Sequence, residues 1–237
     1  MHDLKNNEDL SLVCIPIIYE NKVISIINIY DEIGKINKND VNILKSLLDK
    51  ASPSINNSIE HNIIMIKNIT DNLTGIYTKQ YFVDILRKEI RNFQKFMSII
   101  MVDIDYFKIY NDKNGHLAGD YLLKEIASLF EKNLRNRDIV ARYGGEEFII
   151  LLPETDNSSA LQICERLRNS VENYDFKFKE NQPERKLTIS LGLITTLSKD
   201  LESNELINEA DKNLYKSKKF GRNKTTHSTI INKNLHI

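Results

Sequence analysis

The sequence has few cysteines, no net charge and no long apolar run, and each absence excludes a class of protein. Its 237 residues include two cysteines, Cys14 and Cys164, too few and too far apart for a disulfide framework or a thiolate metal site. Lysine and arginine together number 33, as do aspartate and glutamate, which argues against a nucleic-acid partner bound by a basic surface. No apolar run reaches the roughly 18 residues of a membrane span. The first residues, Met1 to Leu4, lack the n-region and h-region of a secretion signal, so we expect a cytoplasmic protein.

The composition that remains is that of a globular protein. Apolar residues make up 41% of the chain and charged residues 28%, as in ordinary soluble domains. The length predicts about one or two domains with a sizeable core.

The N-terminal segment predicts a small, incomplete unit. Residues 11–36 are expected to form two strands joined by a turn, and Asn39-Asp40 should cap a following helix. Pro53 should break or kink that helix, because proline lacks an amide hydrogen. Residues 1–52 resemble the C-terminal half of a GAF sensor domain, in which a strand with a proline-containing turn precedes a hairpin and a closing helix. Since two strands and a helix cannot bury a core alone, either the chain is truncated or a partner completes the fold.

Residues 53–69 are predicted to be a helical linker. Some of its residues have the heptad spacing of a short parallel coiled coil with one polar residue in the seam. These residues are Ile55, Ile59, Asn62, Ile66 and Ile69. Ile63, Ile64 and Met65 widen the apolar face, which favours an amphipathic connector packed on its own domain. Both alternatives place a domain boundary here.

From Asp71 the hydrophobic pattern becomes regular and predicts a domain over residues 70–224, followed by a tail at 225–237. The spacing predicts a helix, a buried strand, a long helix, a hairpin, a helix, a strand and a last helix. This order indicates an α/β fold with a mostly antiparallel central sheet and helices on one or both faces. The tail is expected to be disordered.

Two glycines and two glutamates mark the centre of this domain. Gly144-Gly145 lies between two apolar runs, which predicts a tight hairpin whose backbone a ligand can approach closely. Glu146 and Glu147 follow directly, although a hairpin needs only one charge for solubility. The pattern predicts a site for a cation and a phosphate, with an ordinary hairpin as the alternative.

Asp103 ends an apolar strand, where a buried carboxylate is costly unless a metal or another partner neutralises it. A structural salt bridge is the alternative explanation. Asp105, two residues further on, is predicted to cap the next helix. If Asp103 and Glu146 converge, with no histidine or cysteine nearby in the sequence, their hard oxygens suit Mg²⁺ or Mn²⁺ rather than Zn²⁺.

A series of motifs follows in unbroken order between residues 70 and 224. They are Asp71-x-Leu73-Thr74-Gly75, Asp103-Ile104-Asp105-x-Phe107-Lys108-x-x-Asn111-Asp112, Gly115-His116-x-x-Gly119-Asp120, Arg142-x-Gly144-Gly145-Glu146-Glu147-Phe148 and Lys218-x-x-Gly221-Arg222. Together they resemble the GGDEF family of diguanylate cyclases, in which Gly-Gly-Glu-Glu-Phe is an accepted active variant. The resemblance implies a central sheet wrapped by helices, a fold related to nucleotide cyclases and polymerase palms.

The resemblance also implies a metal site and its catalytic residues. Asp103, the backbone carbonyl of Ile104 and Glu146 would hold two Mg²⁺ or Mn²⁺ ions in each active site. Glu146 is also expected to be catalytic, together with Lys108 and with Glu147, whose suggested role is metal ligand or base.

For the substrate GTP, the resemblance implies that Asn111 and Asp120 read the guanine. Guanine presents N1–H and N2–H₂ donors that a carboxylate accepts, whereas adenine has no such pair. Backbone N–H groups around Phe107 and Lys108 would surround the triphosphate, and Lys218 and Arg222 would meet its outer phosphates. The alternatives are a first-turn helix acid for Asp120 and an ordinary basic helix end for Lys218 and Arg222.

One further motif precedes the hairpin. Arg135-Asn136-Arg137-Asp138 has the Arg-x-x-Asp form at the place where the family carries its product-inhibition site. Arg166 lies where a second domain of the family contributes an arginine. The resemblance therefore implies an inhibitory site for cyclic di-GMP at Arg135, Asp138 and Arg166, with a surface ion pair as the alternative.

The function implied by the resemblance is a metal-dependent diguanylate cyclase that condenses two GTP into cyclic di-GMP and releases two pyrophosphates. Each domain would bind one GTP, so a homodimer is expected to be the active form and the linker its control element. The alternative is a regulatory module that binds cyclic di-GMP through Arg135, Asp138 and Arg166 without turnover.

Overall fold

The computed structural model describes residues 10–32, 35–93, 95–198, 201–232 and 235–236. The chain divides into two compact units, Met1–Ile66 and Lys67–Ile237. None of the helices that the described residues form is long and apolar enough to cross a membrane.

The first unit contains a two-stranded antiparallel sheet and most of a long helix. Its elements are β1 (Leu10–Tyr19), β2 (Lys22–Glu32) and α1 (Lys38–Ile69). The strands are joined at Glu20 and Asn21, both with positive φ, as tight hairpin turns require. The family resemblance proposed for residues 1–52 stays a prediction.

Helix α1 runs through Pro53 to Ile69, so the predicted break does not occur, and a kink at this position stays a prediction. A proline at position 53 leaves the carbonyl of Asp49 without its usual amide donor. The hydroxyl of Ser52 donates to that carbonyl at 3.0 Å. A neighbouring side chain thus replaces the missing backbone bond.

The heptad prediction for the linker stays open. Ile55 and Ile59 are half-buried and Ile66 is exposed. The side chain of Asn62, with those of Ile63, Ile64 and Met65, lies outside the described residues.

The second unit alternates helices and strands. Its elements are β3 (Tyr77–Thr78), α2 (Lys79–Arg91), β4 (Met97–Ile104), α3 (Phe107–Asn114), α4 (His116–Asn133), β5 (Ile139–Arg142), β6 (Glu147–Pro153), α5 (Asn157–Asn173), β7 (Ile189–Thr196), α6 (Ser203–Lys219), β8 (Thr225–Asn232) and β9 (Leu235–His236). The strands form one sheet in the order β3-β5-β6-β4-β7-β8-β9. Its β3–β5 and β7–β8 pairs are parallel, and its other strand pairs are antiparallel. The predicted α/β class with a mostly antiparallel sheet is confirmed.

The sheet buries apolar side chains on both faces, because successive residues of a strand point to opposite sides. In β4, Ile100 and Val102 join a core that includes residues of α4 and α5. Their neighbours Ile99 and Met101 join a second core with residues of α2 and α6. The central strand is therefore buried along its whole length, which places its last residues between two helical layers.

The segment after residue 224 differs from the prediction of a disordered tail. Thr225–Asn232 forms β8, which pairs in parallel with β7 from Leu191↔Thr225 to Thr196↔Ile230. Ile230 is buried in the core beside α6. Backbone pairing and one buried apolar side chain therefore hold this strand on the sheet.

Candidate functional site

The Gly-Gly turn joins β5 to β6 as predicted, with Arg142 opposite Phe148 in the register. The amides of Tyr143 and Gly144 donate to the carbonyl of Glu147 at 2.8 and 3.2 Å. The space beside Gly144 is filled, since a Cβ there would lie 2.5 Å from a carboxylate oxygen of Glu147. A side chain at this position would therefore have to displace the flexible Glu147 carboxylate.

Arg142 fixes the shape of the turn, a role that the sequence analysis did not assign. Its guanidinium donates to the carbonyls of Gly144 and Gly145 at 3.2 and 2.8 Å and forms an ion pair with Asp71 at 3.2 Å. Burial alone would raise the pKa of Asp71, but hydrogen bonds from Thr74 and the charge of Arg142 hold it below its usual value. The motifs in the sequence include both Asp71 and Arg142. Because the two residues are far apart in the sequence, their ion pair could not be predicted from it.

Asp103 lies near the end of β4, opposite Glu147 in the register. It is 5% exposed, and the ammonium of Lys218 contacts its Oδ2 at 2.7 Å. Burial raises the pKa of Asp103 to about 6. Lys218 opposes this rise, while Glu146 and Glu147 add to it. The carboxylate therefore lies in an environment that disfavours its charged form, chiefly because it is buried.

Glu146 belongs to the same group of charges. The amide of Ile104 donates to the carbonyl of Glu146 at 3.4 Å, which joins the hairpin to the end of β4. Burial raises the pKa of Glu146, Lys218 lowers it, and Glu147 raises it further. The structure thus brings Asp103, Ile104 and Glu146 together at one edge.

These groups fit a hard divalent cation, although they do not form a complete set of ligands. Among the described residues, no three histidine, cysteine, aspartate or glutamate side chains converge on one point. Two carboxylates and a backbone carbonyl would leave coordination positions for ligand oxygens, as Mg²⁺ sites on phosphate substrates usually do. Lys218 supplies the positive charge beside Asp103 in this structure.

A second part of the site lies between α3 and α4. The Oδ1 of Asn111 is buried and, within the described part of the chain, has no hydrogen-bond partner. Gly119 faces it so closely that a Cβ would lie 1.9 Å from that oxygen. Asp120 follows on the first turns of α4 and is half-buried. A buried acceptor without a donor is costly in a protein interior, so the Asn111 amide is suited to a polar ligand.

The turn before α3 positions the predicted phosphate-binding segment. Tyr106 adopts a left-handed conformation with φ 60° and provides no side-chain cap. Phe107 is buried beneath the first turn, whereas Lys108 is exposed. The guanidinium of Arg222 lies over the ring of Tyr106, 4.6 Å from its centre, so Arg222 and the start of α3 are neighbours.

Asp105 is not a helix cap, and that prediction was wrong. Its carboxylate accepts hydrogen bonds from the hydroxyls of Thr188 and Ser190 and from the amide of Asn223. All three donors lie more than 80 residues away in the chain, so no local pattern indicates them. Lys218 contacts Asp103, and its predicted contact with the outer phosphates stays a prediction.

The Arg-x-x-Asp motif forms a closed loop. The amide of Arg135 donates to Oδ2 of Asp138, and the amide of Asp138 donates to the carbonyl of Arg135, both at 2.9 Å. The Oδ1 of Asp138 is buried and unpaired among the described residues. Arg135 is exposed at the edge of a cavity of about 350 Å³ that Asp138, Tyr77 and Leu134 also line. Arg166 is exposed and donates to the carbonyl of Asn133 at 2.6 Å.

Comparison with known proteins identifies the family of this domain. The sequence profile described as "Diguanylate cyclase, GGDEF domain" matches residues 68–224. Diguanylate cyclase A of Treponema denticola is 38% identical over 194 residues, which are 79% of this chain and 50% of that protein. The chain therefore spans half the length of this relative. The family match begins at residue 68, beyond the predicted sensor segment.

Solved structures show the same fold. The coiled coil and GGDEF domain of DgcB from Caulobacter crescentus, in complex with c-di-GMP, superposes with a TM-score of 0.69 at 26% identity and covers 78% of this chain and 98% of that one. The active GGEEF domain of a diguanylate cyclase from Vibrio cholerae superposes with a TM-score of 0.58 at 29% identity. The match covers 63% of this chain and 96% of that one.

Proposed function

Because the chain belongs to the GGDEF diguanylate cyclase family, we propose that it condenses two GTP molecules into cyclic di-GMP. In each of two steps, the 3′-oxygen of one nucleotide bonds to the α-phosphorus of the other. The bond from that phosphorus to the β-phosphate bridge breaks, and pyrophosphate leaves. The observation that carries the proposal is the buried Asp103 carboxylate, which lies 2.7 Å from the ammonium of Lys218 and is influenced by the charges of Glu146 and Glu147.

Asp103, Glu146 and the carbonyl of Ile104 would hold Mg²⁺ or Mn²⁺, two ions in each active site. Bound there, these ions supply Lewis-acid polarisation of the α-phosphate and lower the pKa of the attacking hydroxyl. Support comes from the hard oxygen donors and from the raised pKa of both carboxyls, which burial causes in the first place and the neighbouring Glu147 carboxylate increases. Glu147 would act on the same centre, as a ligand or base.

Lys218 has two roles in this proposal. Its ammonium contacts the Asp103 carboxylate at 2.7 Å. It would also meet the outer phosphates of GTP together with Arg222. The Lys218 side chain is 32% exposed, whereas that of Asp103 is 7% exposed, so the lysine is accessible to a ligand from solvent.

Asn111 and Asp120 would read the guanine. Among the described residues, the buried Oδ1 of Asn111 has no partner and would accept from a base N–H, and the Asp120 carboxylate would accept from guanine N1–H and N2–H₂. The missing side chain of Gly119 gives the Asn111 amide its place. Backbone N–H groups at Phe107 and Lys108 would bind the triphosphate beside Arg222, and the exposed Lys108 is available as a further cation near the reacting phosphates.

Two domains must face each other, since each would bind one GTP and the product is cyclic, so we propose a homodimer as the active form. We further propose that cyclic di-GMP inhibits the reaction by binding Arg135 and Asp138 of one domain and Arg166 of another. The buried, unpaired Oδ1 of Asp138 supports this, because a ligand N–H would satisfy it.

The test is turnover of GTP by purified protein with Mg²⁺, followed by chromatography of the products. Glu146→Gln should reduce synthesis by orders of magnitude, since several kcal/mol of charge stabilisation are lost, while the melting curve shows an intact fold. Glu154→Gln, which changes an exposed glutamate paired with Arg137, is the matched control and should keep full activity. Near-normal synthesis by Glu146→Gln would remove that residue from the metal site. Binding of cyclic di-GMP without any turnover would favour the regulatory module instead.

A further inference from the structure

The turn that carries Arg222 is held in an unusual backbone conformation. Gly221, Arg222 and Asn223 have φ angles of 112°, 60° and 45°. Residues other than glycine rarely adopt positive φ, because the Cβ approaches the backbone too closely. Two such residues in succession persist only when their surroundings hold them.

The first contact that holds this turn is with Asp105. Its Oδ2 accepts from the amide of Asn223 at 3.0 Å and from the hydroxyl of Thr188 at 2.7 Å. Its Oδ1 accepts from the hydroxyl of Ser190 at 2.7 Å. Asp105 is 2% exposed and forms these bonds with neutral donors. The carboxylate therefore joins the backbone of the turn to the ends of β4 and β7.

The second contact comes from α5. Nη1 of Arg168 donates to the side-chain Oδ1 of Asn223 at 2.9 Å. Arg168 is itself fixed by ion pairs with Glu165 at 3.0 Å and Glu172 at 2.8 Å. Asn223 is thus held through its backbone by Asp105 and through its side chain by Arg168 and by a hydrogen bond to Glu172.

The conformation of this turn directs Arg222 towards α3. The guanidinium lies over the ring of Tyr106, and the residues that follow Tyr106 begin the segment assigned to the triphosphate. A rotation of the turn would move the guanidinium away from that segment. Positioning of a charged side chain before the ligand arrives reduces the entropy lost on binding.

We propose that Asn223, held by Asp105 and Arg168, is a positioning residue that places Arg222 against the triphosphate of GTP. Asn223 contacts no substrate in this arrangement and acts through Arg222. The inference rests on the proposed role of Arg222 as a phosphate ligand.

The test measures binding of a GTP analogue with a non-cleavable α–β bridge, in the presence of Mg²⁺, by calorimetry. Asn223→Gly keeps the left-handed backbone accessible but removes the side-chain contacts with Arg168 and Glu172, and it should weaken binding roughly tenfold. Asn223→Asp keeps an acceptor for Arg168 and tolerates positive φ but loses the donor to Glu172, so it should restore part of the affinity. Asn21→Gly is the matched control, because Asn21 is exposed and also has a positive φ, 62°, and it should bind normally.

A double-mutant cycle separates positioning from a general loss of structure. In an Arg222→Met background, Asn223→Gly should cause no further loss, since its effect passes through the missing guanidinium. Arg168→Met, which removes the same hydrogen bond from the other side, should also weaken binding and raise KM more than it lowers kcat. If Asn223→Gly binds the analogue normally while Arg222→Met binds it weakly, the positioning role is refuted and the proposed function is not. The same holds if the double variant loses affinity by the product of the two single losses. Absence of binding by the unmodified protein would overturn the proposed function as well.

Discussion

Replacing Asp103 by asparagine should stabilise the metal-free protein at neutral pH. Asp103 is nearly inaccessible to solvent, and burial raises its pKa from an ordinary 3.8 to about 6 even with Lys218 beside it. The folded state therefore binds the Asp103 proton more tightly than the unfolded state does. Between about pH 4 and pH 6 the stability of the fold falls as pH rises, because the folded protein must lose a proton that it holds more strongly.

The magnitude follows from the same two pKa values. A change from 3.8 to about 6 corresponds to about 3 kcal/mol once the carboxyl is fully ionised, since each pKa unit is about 1.4 kcal/mol. Asparagine has nearly the same shape and carries no charge, so Asp103→Asn should gain up to about 3 kcal/mol at pH 7.5 and little near pH 4. The same variant should lose synthesis of cyclic di-GMP.

The assay is urea unfolding in the presence of EDTA at pH 7.5 and at pH 4. Asp211→Asn, which changes an exposed carboxylate on α6, should alter stability by no more than about 0.5 kcal/mol at either pH. Mg²⁺ should stabilise the unmodified protein by mass action and affect Asp103→Asn far less. Equal stability of Asp103→Asn and the unmodified protein at pH 7.5, or an equal gain at both pH values, would refute the reasoning.

Three other outcomes are expected. Asp120→Ser should narrow the preference for GTP over ATP in a turnover assay, because an unpaired carboxylate penalises ATP by roughly 1–3 kcal/mol; equal turnover of both nucleotides by the unmodified protein would sink the assignment. Arg135→Ala should weaken binding of cyclic di-GMP in calorimetry by about 1.5–3 kcal/mol and raise the product plateau of a progress curve; an unchanged plateau would withdraw the inhibitory site. Lys218→Met should strengthen Mn²⁺ binding without nucleotide roughly tenfold, since the competing ammonium is absent, and should weaken GTP binding; unchanged Mn²⁺ binding would show that Lys218 does not compete with metal.

The sequence was sufficient where local patterns decide the structure. Gly144-Gly145 between apolar runs predicted the hairpin, and the apolar strand before Asp103 predicted a buried carboxylate, because both depend on neighbours in the chain. Asp105 was misread for the opposite reason, since its donors lie on β7 and on the turn after α6. A motif places residues in order but does not say which distant groups will meet.

Two other errors have similar causes. Pro53 was expected to break or kink a helix, and the helix continues unbroken with the hydroxyl of Ser52 compensating for the missing amide, a contact that a residue-type rule does not include. The segment after residue 224 has little apolar character, yet β8 forms because the edge of β7 offers it a partner. Lys218 illustrates the same limit, since its ion pair with Asp103 joins residues more than a hundred positions apart in the sequence.

The most direct test of the central claim is the stoichiometry of GTP turnover. Purified protein should convert two GTP into one cyclic di-GMP and two pyrophosphates in the presence of Mg²⁺ or Mn²⁺, as resolved by mass spectrometry and a pyrophosphate assay. EDTA should stop the reaction, and Asp103→Asn should not support it. Hydrolysis of GTP to GDP, formation of a linear dinucleotide as the final product, or synthesis that continues in EDTA would contradict the account.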